Sequence, residues 1–153
     1  MFGLQLESGV GFAILTYPLK RTHLKEELAF FAEHMRACGH TDCEVLFGFV
    51  WGNEYYETDH WDYERIPLHD LVDKVEQVEA MGLGQLGQDD LFVKVPGFAI
   101  EFQFCHDSDI HITYESAGEV TEFFYQRWNS RGFSPAEWLV DPHNLEHKRL
   151  RFN

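Results

Sequence analysis

The feature that most constrains the fold is a pair of alternating apolar runs between Leu91 and Phe104, interrupted by Pro96-Gly97. Every second residue is apolar, as expected of two strands that turn one face towards a core. The apolar members are Leu91, Val93, Val95, Phe98, Ile100, Phe102 and Phe104. If Pro96-Gly97 is a two-residue hairpin loop, Val95 faces Phe98 and the pairing continues outward from there. A longer or bulged loop is the alternative, because Pro-Gly is not a favoured hairpin turn.

A third strand is predicted after the polar turn 106–109. Ile110, Ile112 and Tyr114 then face inward, and the residues between them face outward. A sheet with one apolar and one polar face follows from this alternation.

Other stretches predict two more strands and four helices. The strands are Gly11–Tyr17 and Cys43–Trp51, both short and rich in apolar residues. Three longer helices are predicted from Thr22 to Gly39, from Pro67 to Gly82 and from the Ser-x-x-Glu motif at Ser116 to Gly132. A second Ser-x-x-Glu motif, Ser134–Glu137, predicts a short last helix. We interpret 53–64 as a loop or an irregular edge segment and 143–153 as a surface tail.

The predicted architecture is one α+β domain over residues 1–153. It has a mainly antiparallel sheet of about four or five strands with helices packed on one face. A chain of 153 residues buries a full core without help from disulfides or metals. Its three cysteines are an odd number, which favours reduced thiols.

Charge restricts the classes of partner. Twelve Lys and Arg stand against 26 Asp and Glu, a formal charge of −14, which repels nucleic acids and anionic membranes. A basic protein partner accounts for this excess of acid, and so does solubility alone. No apolar run is long enough to cross a membrane and the first residues lack the features of a signal peptide, so we expect a cytoplasmic protein.

The acidic aromatic segment Glu54–Glu64 is the main candidate for binding. Tyr and Trp supply rigid contact area, and interleaved carboxylates attract a basic partner. Together with the exposed face of the following helix, the predicted binding residues are Glu54, Tyr55, Tyr56, Glu57, Asp59, Trp61, Asp62, Asp70, Asp73 and Glu76. The alternative is a polar loop that only tucks Tyr55 and Trp61 onto the core.

A second candidate is the cluster Cys105, His106, Asp109 and His111. A thiol and two imidazoles within one turn suggest a nucleophile with a general base, as in a small hydrolase or thiol enzyme. The alternative is structural: a small buried cysteine beside carboxylates that shape the turn. We favour the structural alternative and expect no catalytic residues.

Cys38, His40 and Cys43, joined by Cys105 or His106, resemble an incomplete zinc-ligand set. Their spacing is not that of a standard zinc knuckle. We therefore expect no metal and no other cofactor.

The leading hypothesis is an acidic protein-binding domain that neutralises a basic partner such as a toxin. In composition and size alone the chain resembles cytosolic inhibitors of this kind, for example bacterial immunity proteins. No motif carries the resemblance.

Overall fold

Eight strands form one sheet in which every neighbouring pair is antiparallel. The structure, a computed structural model, describes residues 11–48, 51–56, 61–140 and 148–152. The strands are β1 (Gly11–Leu15), β2 (Asp42–Phe47), β3 (Glu64–Pro67), β4 (Leu91–Lys94), β5 (Ile100–Phe104), β6 (Ile110–Tyr114), β7 (Ala136–Val140) and β8 (Lys148–Phe152). Their order across the sheet is β3-β2-β4-β5-β6-β1-β7-β8.

The described helices are α1 (Arg21–Ala37), α2 (Trp51–Tyr55), α3 (Leu71–Ala80) and α4 (Glu119–Ser130), with a 3-10 turn (Leu68–Asp70) leading into α3. The three longer helices predicted from the sequence are therefore confirmed, with small shifts at their ends. Ser116 does not cap α4; Thr121 Oγ1 instead accepts a hydrogen bond from Gly118 N at 3.0 Å. Within the described part of the chain, no helix has both the length and the apolar character needed to cross a bilayer.

The α+β class is compatible with the structure, but the predicted sheet of four or five strands is wrong. The sheet has eight strands because β3, β7 and β8 join the five expected ones. The predicted last helix is β7: Ser134 has a left-handed φ of 50°, and Ala136–Val140 pairs along its whole length with β1. Strand pairing supplies hydrogen bonds that a one-turn helix cannot match, so the local capping motif is overridden.

Part of the predicted surface tail is also a strand. Residues 148–152 form β8 at the edge of the sheet, and residues 141–147 lie outside the described part of the chain. Arg151 anchors β8, because its guanidinium lies 2.6 Å from Glu122 Oε2 of α4 and 3.1 Å from Glu137 Oε1 of β7.

The central hairpin has the predicted faces but a register displaced by two residues. Val93 pairs with Phe102 and Leu91 with Phe104. Phe98 N donates to Val95 O at 3.1 Å, and Gly97 has a φ of 77°, so Pro96-Gly97 forms a tight turn. The twist of such a turn does not match that of a hairpin, and the ladder begins only at Lys94 and Glu101. Because side chains alternate with period two, a shift of two residues leaves every face unchanged.

The core lies between one face of the sheet and helices α1, α3 and α4. Phe102, on the central strand β5, has its ring centre 4.6 Å from that of Phe31 in α1 and 4.9 Å from that of Phe124 in α4. All three rings are at most 2% exposed. One side chain therefore joins the sheet to two helices.

A buried ion cluster holds α1 to α4. Glu27 is 2% exposed and accepts hydrogen bonds from Arg127 Nη2 at 2.7 Å, Arg127 Nε at 3.1 Å and Trp128 Nε1 at 2.7 Å. Arg131 adds a longer contact of 3.3 Å. Both carboxylate oxygens are satisfied, as a charge at this depth requires.

Replacing Phe102 by Ala should lower the free energy of unfolding by about 3–5 kcal/mol, because it empties the contact between the sheet and two helices. The matched control is Phe98→Ala in the half-buried turn, which should cost about 1 kcal/mol. Urea unfolding followed by circular dichroism measures both changes. Equal losses would contradict the assignment of Phe102 to the centre of the core.

Replacing Glu27 by Gln should cost about 3 kcal/mol of stability, since it leaves the Arg127 guanidinium partly buried without its counter-charge. The neighbouring change Glu26→Gln is the control. Glu26 is exposed and contacts only Arg131 among these groups, at 2.8 Å, so its loss should be much smaller. The same urea experiment applies, and similar effects of the two changes would show that the buried cluster does not hold the helices.

Candidate functional site

The face of the sheet opposite the helices, called here the outer face, carries rows of polar side chains. Along one row Glu44, Lys94 and Glu101 are direct neighbours on β2, β4 and β5, so their charges alternate. Tyr63 covers this row: its hydroxyl donates to Glu101, and Lys94 Nζ lies 4.0 Å from the centre of its ring. Glu101 is consequently only 2% exposed. The outer face is therefore partly covered rather than fully open to water.

At one end of this face the predicted cluster of Cys105, His106, Asp109 and His111 does converge. Cys105 Sγ lies 3.7 Å from His106 Nδ1, and His111 Nε2 lies 2.9 Å from Asp109 Oδ2. Hydrogen bonds of the β5–β6 turn bring these residues together: Cys105 N donates to Asp109 O, and Ser108 N donates to Cys105 O. We call this group the Cys105 cluster.

Two more residues, Asp90 and Gln103, belong to the Cys105 cluster, and sequence reasoning misses Asp90. Asp90 Oδ1 accepts hydrogen bonds from Gln103 Nε2 at 3.1 Å and from the backbone N of His106 at 2.9 Å. Gln103 follows from the alternation that also places Cys105 on the outer face. No sequence pattern predicts that Asp90 belongs to the cluster, because only the pairing of β4 with β5 brings it close to Gln103 and His106.

Two buried oxygens in the Cys105 cluster have no hydrogen-bond partner among the described residues. They are Oε1 of Gln103, a residue that is 7% exposed, and Oδ1 of Asp109. Unpaired buried acceptors cost free energy, and each one in a native structure needs an explanation.

The protonation states of the cluster oppose nucleophilic chemistry at Cys105. Burial, together with the carboxylates of Asp109 and Asp90, raises the pKa of the Cys105 thiol to about 12. The hydrogen bond to Asp90 raises the pKa of His106. Burial opposes ionisation of Asp109, but the hydrogen bond and charge of His111 outweigh it and hold the pKa of that carboxyl below its usual value. The positions of Cys105 and His106 resemble a catalytic dyad. The raised pKa keeps the thiol neutral, however, and a neutral thiol is a poor nucleophile.

The acidic aromatic segment runs through α2 to the start of the edge strand β3, and its Tyr63 reaches over the outer face to Glu101. The Tyr55 hydroxyl donates to Glu64 Oε1 at 2.8 Å, and Lys74 Nζ donates to Glu64 Oε2 at 3.1 Å. These bonds tie α2, β3 and α3 together. The two predicted parts of the binding region, the segment Glu54–Glu64 and the face of α3, are therefore neighbours.

Tyr55 and Tyr56 of this segment turn inward. The ring of Tyr55 packs 4.8 Å from that of Phe47, and the Tyr56 hydroxyl accepts a hydrogen bond from Phe47 N at 2.9 Å. Trp61 is half-buried and lies 5.9 Å from the ring of Tyr56. Glu57 and Asp59 lie outside the described residues. The alternative interpretation, in which the segment only tucks Tyr55 and Trp61 onto the core, agrees with the packing of Tyr55 against Phe47, and Tyr56 is held in a similar way.

The acids of this region remain exposed. We call Glu54, Asp62, Asp70, Asp73 and Glu76 the acidic surface; all five are exposed. The two cations of the same stretch face other carboxylates, since Arg65 pairs with Asp42 at 3.1 Å and Lys74 pairs with Glu64 at 3.1 Å. His69, 3.3 Å from Asp70, adds a contact that is ionic only when the imidazole is protonated. The acidic surface is thus left largely uncompensated.

The sequence-predicted ligand set Cys38, His40 and Cys43 is not brought together with Cys105. Cys43 is fully buried in β2, whereas Cys38 is exposed at the end of α1 beside His34. The register places Cys105 just beyond Phe104, at the Phe47 end of the sheet, and Cys43 at the opposite end of β2.

Comparison with known protein families, with curated proteins and with solved structures found no match for this chain. Its function is therefore inferred from residue chemistry and geometry.

The raised pKa of Cys105 predicts that iodoacetamide will alkylate Cys38 first at pH 7 in the presence of EDTA. Cys105 and Cys43, each buried and each with a pKa of about 12, should react only when the chain unfolds or the pH approaches that value. Peptide mass spectrometry after timed alkylation reports each site. Alkylation of Cys105 as fast as that of Cys38 at pH 7 would favour a reactive thiol.

Proposed function

We propose that the chain is an acidic protein-binding domain that neutralises a basic partner, in the manner of an immunity-type inhibitor. We further propose that it acts in the cytoplasm and binds neither nucleic acid nor membranes, since its formal charge of −14 repels both. The observation that carries the proposal is the acidic surface.

The acidic surface suits a basic protein for two reasons. Its five carboxylates are exposed on neighbouring elements, and the bonds among Tyr55, Glu64 and Lys74 fix those elements relative to one another. A rigid surface loses little conformational entropy when it binds. Complementary charge accelerates encounter and excludes acidic competitors.

Elsewhere, most arginines of the described chain are engaged internally. Arg127 and Arg131 face Glu27, Arg151 faces Glu122 and Glu137, and Arg21 faces Glu79. Three of these arginines neutralise acids away from the acidic surface, whereas Arg21, together with Lys25, pairs with Glu79 on α3 itself. The excess negative charge is therefore concentrated where α2, β3 and α3 meet, which supports a localised docking site over a uniform solubilising charge.

Within the segment Glu54–Glu64, the tyrosines and the carboxylates have different roles. Tyr55 and Tyr56 use their hydroxyls internally, so the carboxylates carry the proposed recognition. Trp61 is half-buried and contacts Gly52, where an added Cβ would lie 3.2 Å from its ring. If Trp61 contacts the partner, it does so while also packing against α2.

The alternative function is a small hydrolase or thiol enzyme at Cys105, His106 and His111. The convergence of these side chains with Asp109 supports it. The burial of Cys105 and its raised pKa oppose it. We therefore propose binding rather than catalysis.

The double variant Asp73→Asn/Glu76→Gln should slow association with a basic partner about 10-fold at low ionic strength and should weaken the dependence on salt. Because both residues are exposed, stability should change by no more than about 0.5 kcal/mol. The partner is identified by affinity capture from lysate with wild-type and variant baits in parallel, followed by mass spectrometry. Surface plasmon resonance at two salt concentrations then gives the rates.

The matched control is Glu115→Gln/Glu119→Gln, which removes the same charge from exposed positions after β6 and at the start of α4. This control should keep the captured protein and nearly the full association rate. Equal effects of the two double variants would mean that only net charge matters and would contradict a docking site at the acidic surface.

A further inference from the structure

The Cys105 cluster contains donors that the proposed binding function does not use. Around Cys105 two groups of three possible metal ligands share its sulfur: Asp90 with His106, and Asp109 with His111. Within each group the three ligand atoms lie within 4.8 Å of one another. Sulfur, imidazole nitrogen and carboxylate oxygen together are typical ligands of zinc, and they disfavour magnesium or calcium, which prefer oxygen alone.

We propose that Cys105, Asp109 and His111 bind one zinc ion on the outer face of the sheet. The proposal is independent of the acidic surface and departs from the expectation, drawn from the sequence, that the chain binds no metal. Three protein ligands leave a fourth position of the tetrahedron for water or another small ligand.

Unpaired oxygens favour a cation at this place. Among the described residues no N–H or O–H group donates to the buried Asp109 Oδ1, although Oδ2 lies 2.9 Å from His111 Nε2 and the weakly donating Cys105 thiol interacts with the same carboxylate. Gln103 is the cross-strand neighbour of His111, and its Oε1 is also buried and unpartnered. Two unsatisfied acceptors on one small patch, beside a thiol, are the surroundings that a bound cation would satisfy.

The geometry requires only small adjustments. Tetrahedral zinc with bonds of about 2.0 Å to nitrogen or oxygen and about 2.3 Å to sulfur holds its ligand atoms roughly 3.3–3.6 Å apart. The three ligand atoms already lie within 4.8 Å of one another. Cys105 and Asp109 lie in the turn between β5 and β6, and His111 lies on β6, which pairs with β5 residue by residue. On binding, the Cys105 thiol and the His111 N–H that faces Asp109 each lose a proton to water, and the His111–Asp109 hydrogen bond is given up. The sulfur and the freed nitrogen then form bonds to zinc.

The second group, Asp90 and His106, is less suited. Asp90 Oδ1 already accepts three hydrogen bonds, from Gln103 Nε2, His106 N and His106 Nδ1, at 2.9 to 3.1 Å. The His106 side chain is 57% exposed, against 18% for His111. His106 is therefore a natural control for His111.

The test uses the full chain, stripped with EDTA and titrated with Co²⁺, whose bond to a thiolate gives a charge-transfer band in the near ultraviolet. We expect one equivalent of Co²⁺, a thiolate band, and displacement by Zn²⁺ but not by Mg²⁺. Cys105→Ser should abolish the band, and Cys38→Ser should retain it. His111→Ala and Asp109→Asn should each weaken Zn²⁺ binding by more than about 100-fold, because a direct ligand matters at least as much as its supporting residues.

His106→Ala should leave both the band and the affinity unchanged. Circular dichroism of each metal-free variant confirms folding; should Cys105→Ser fail to fold, His111→Ala and Asp109→Asn test the same ligands. Absence of a thiolate band in the wild type overturns the proposal, as does loss of the band in Cys38→Ser. Loss of binding in His106→Ala with retention in His111→Ala would overturn the assignment to Asp109 and His111.

Discussion

The contact of Phe102 with Phe31 and Phe124 is the one on which the remaining structure depends. It lies on β5, in the middle of the sheet, and it closes both α1 and α4 onto the same face. Burial of three aromatic rings supplies a large part of the favourable free energy of a core this size. The Glu27 cluster then sets the position of α4 relative to α1, at a depth where an unpaired charge would not be tolerated.

Covering one face of the sheet with helices leaves the polar residues of each strand on the other face. There the side chains largely satisfy one another, as Tyr63, Lys94 and Glu101 do, and as Asp90, Gln103 and His106 do. In the described part of this face, the exceptions are Gln103 Oε1 and Asp109 Oδ1, which lack a partner among the described N–H and O–H groups. The acidic surface beside β3 differs from the Cys105 cluster, because its carboxylates are exposed. The nearby cations Arg65 and Lys74 pair with other carboxylates, those of Asp42 and Glu64. For this reason we propose metal binding at the Cys105 cluster and protein recognition at the acidic surface.

Local patterns were sufficient for some of these features and misleading for others. Alternation identified the inward and outward sides of β4, β5 and β6, and helical spacing identified α1, α3 and α4. The Ser-x-x-Glu motif at Ser134 predicted a helix where β7 lies, because a capping motif reports local preference and says nothing about a neighbouring strand that offers pairing. Aromatic content suggested contact residues at Tyr55 and Tyr56, yet both serve the fold through hydrogen bonds to Glu64 and Phe47.

By itself the sequence determined which face of each central strand is buried, since that depends only on the period of the apolar residues and survives a register shift of two. It also determined the negative charge and the closeness of Cys105, Asp109 and His111 along the chain, but it left open whether their side chains meet. Only the tertiary structure decided the number of strands, the joining of α2 to α3 through Glu64, and the arrival of Asp90 beside His106. Those features depend on pairings between residues far apart in the chain, whose free energy comes from contacts that no local pattern encodes.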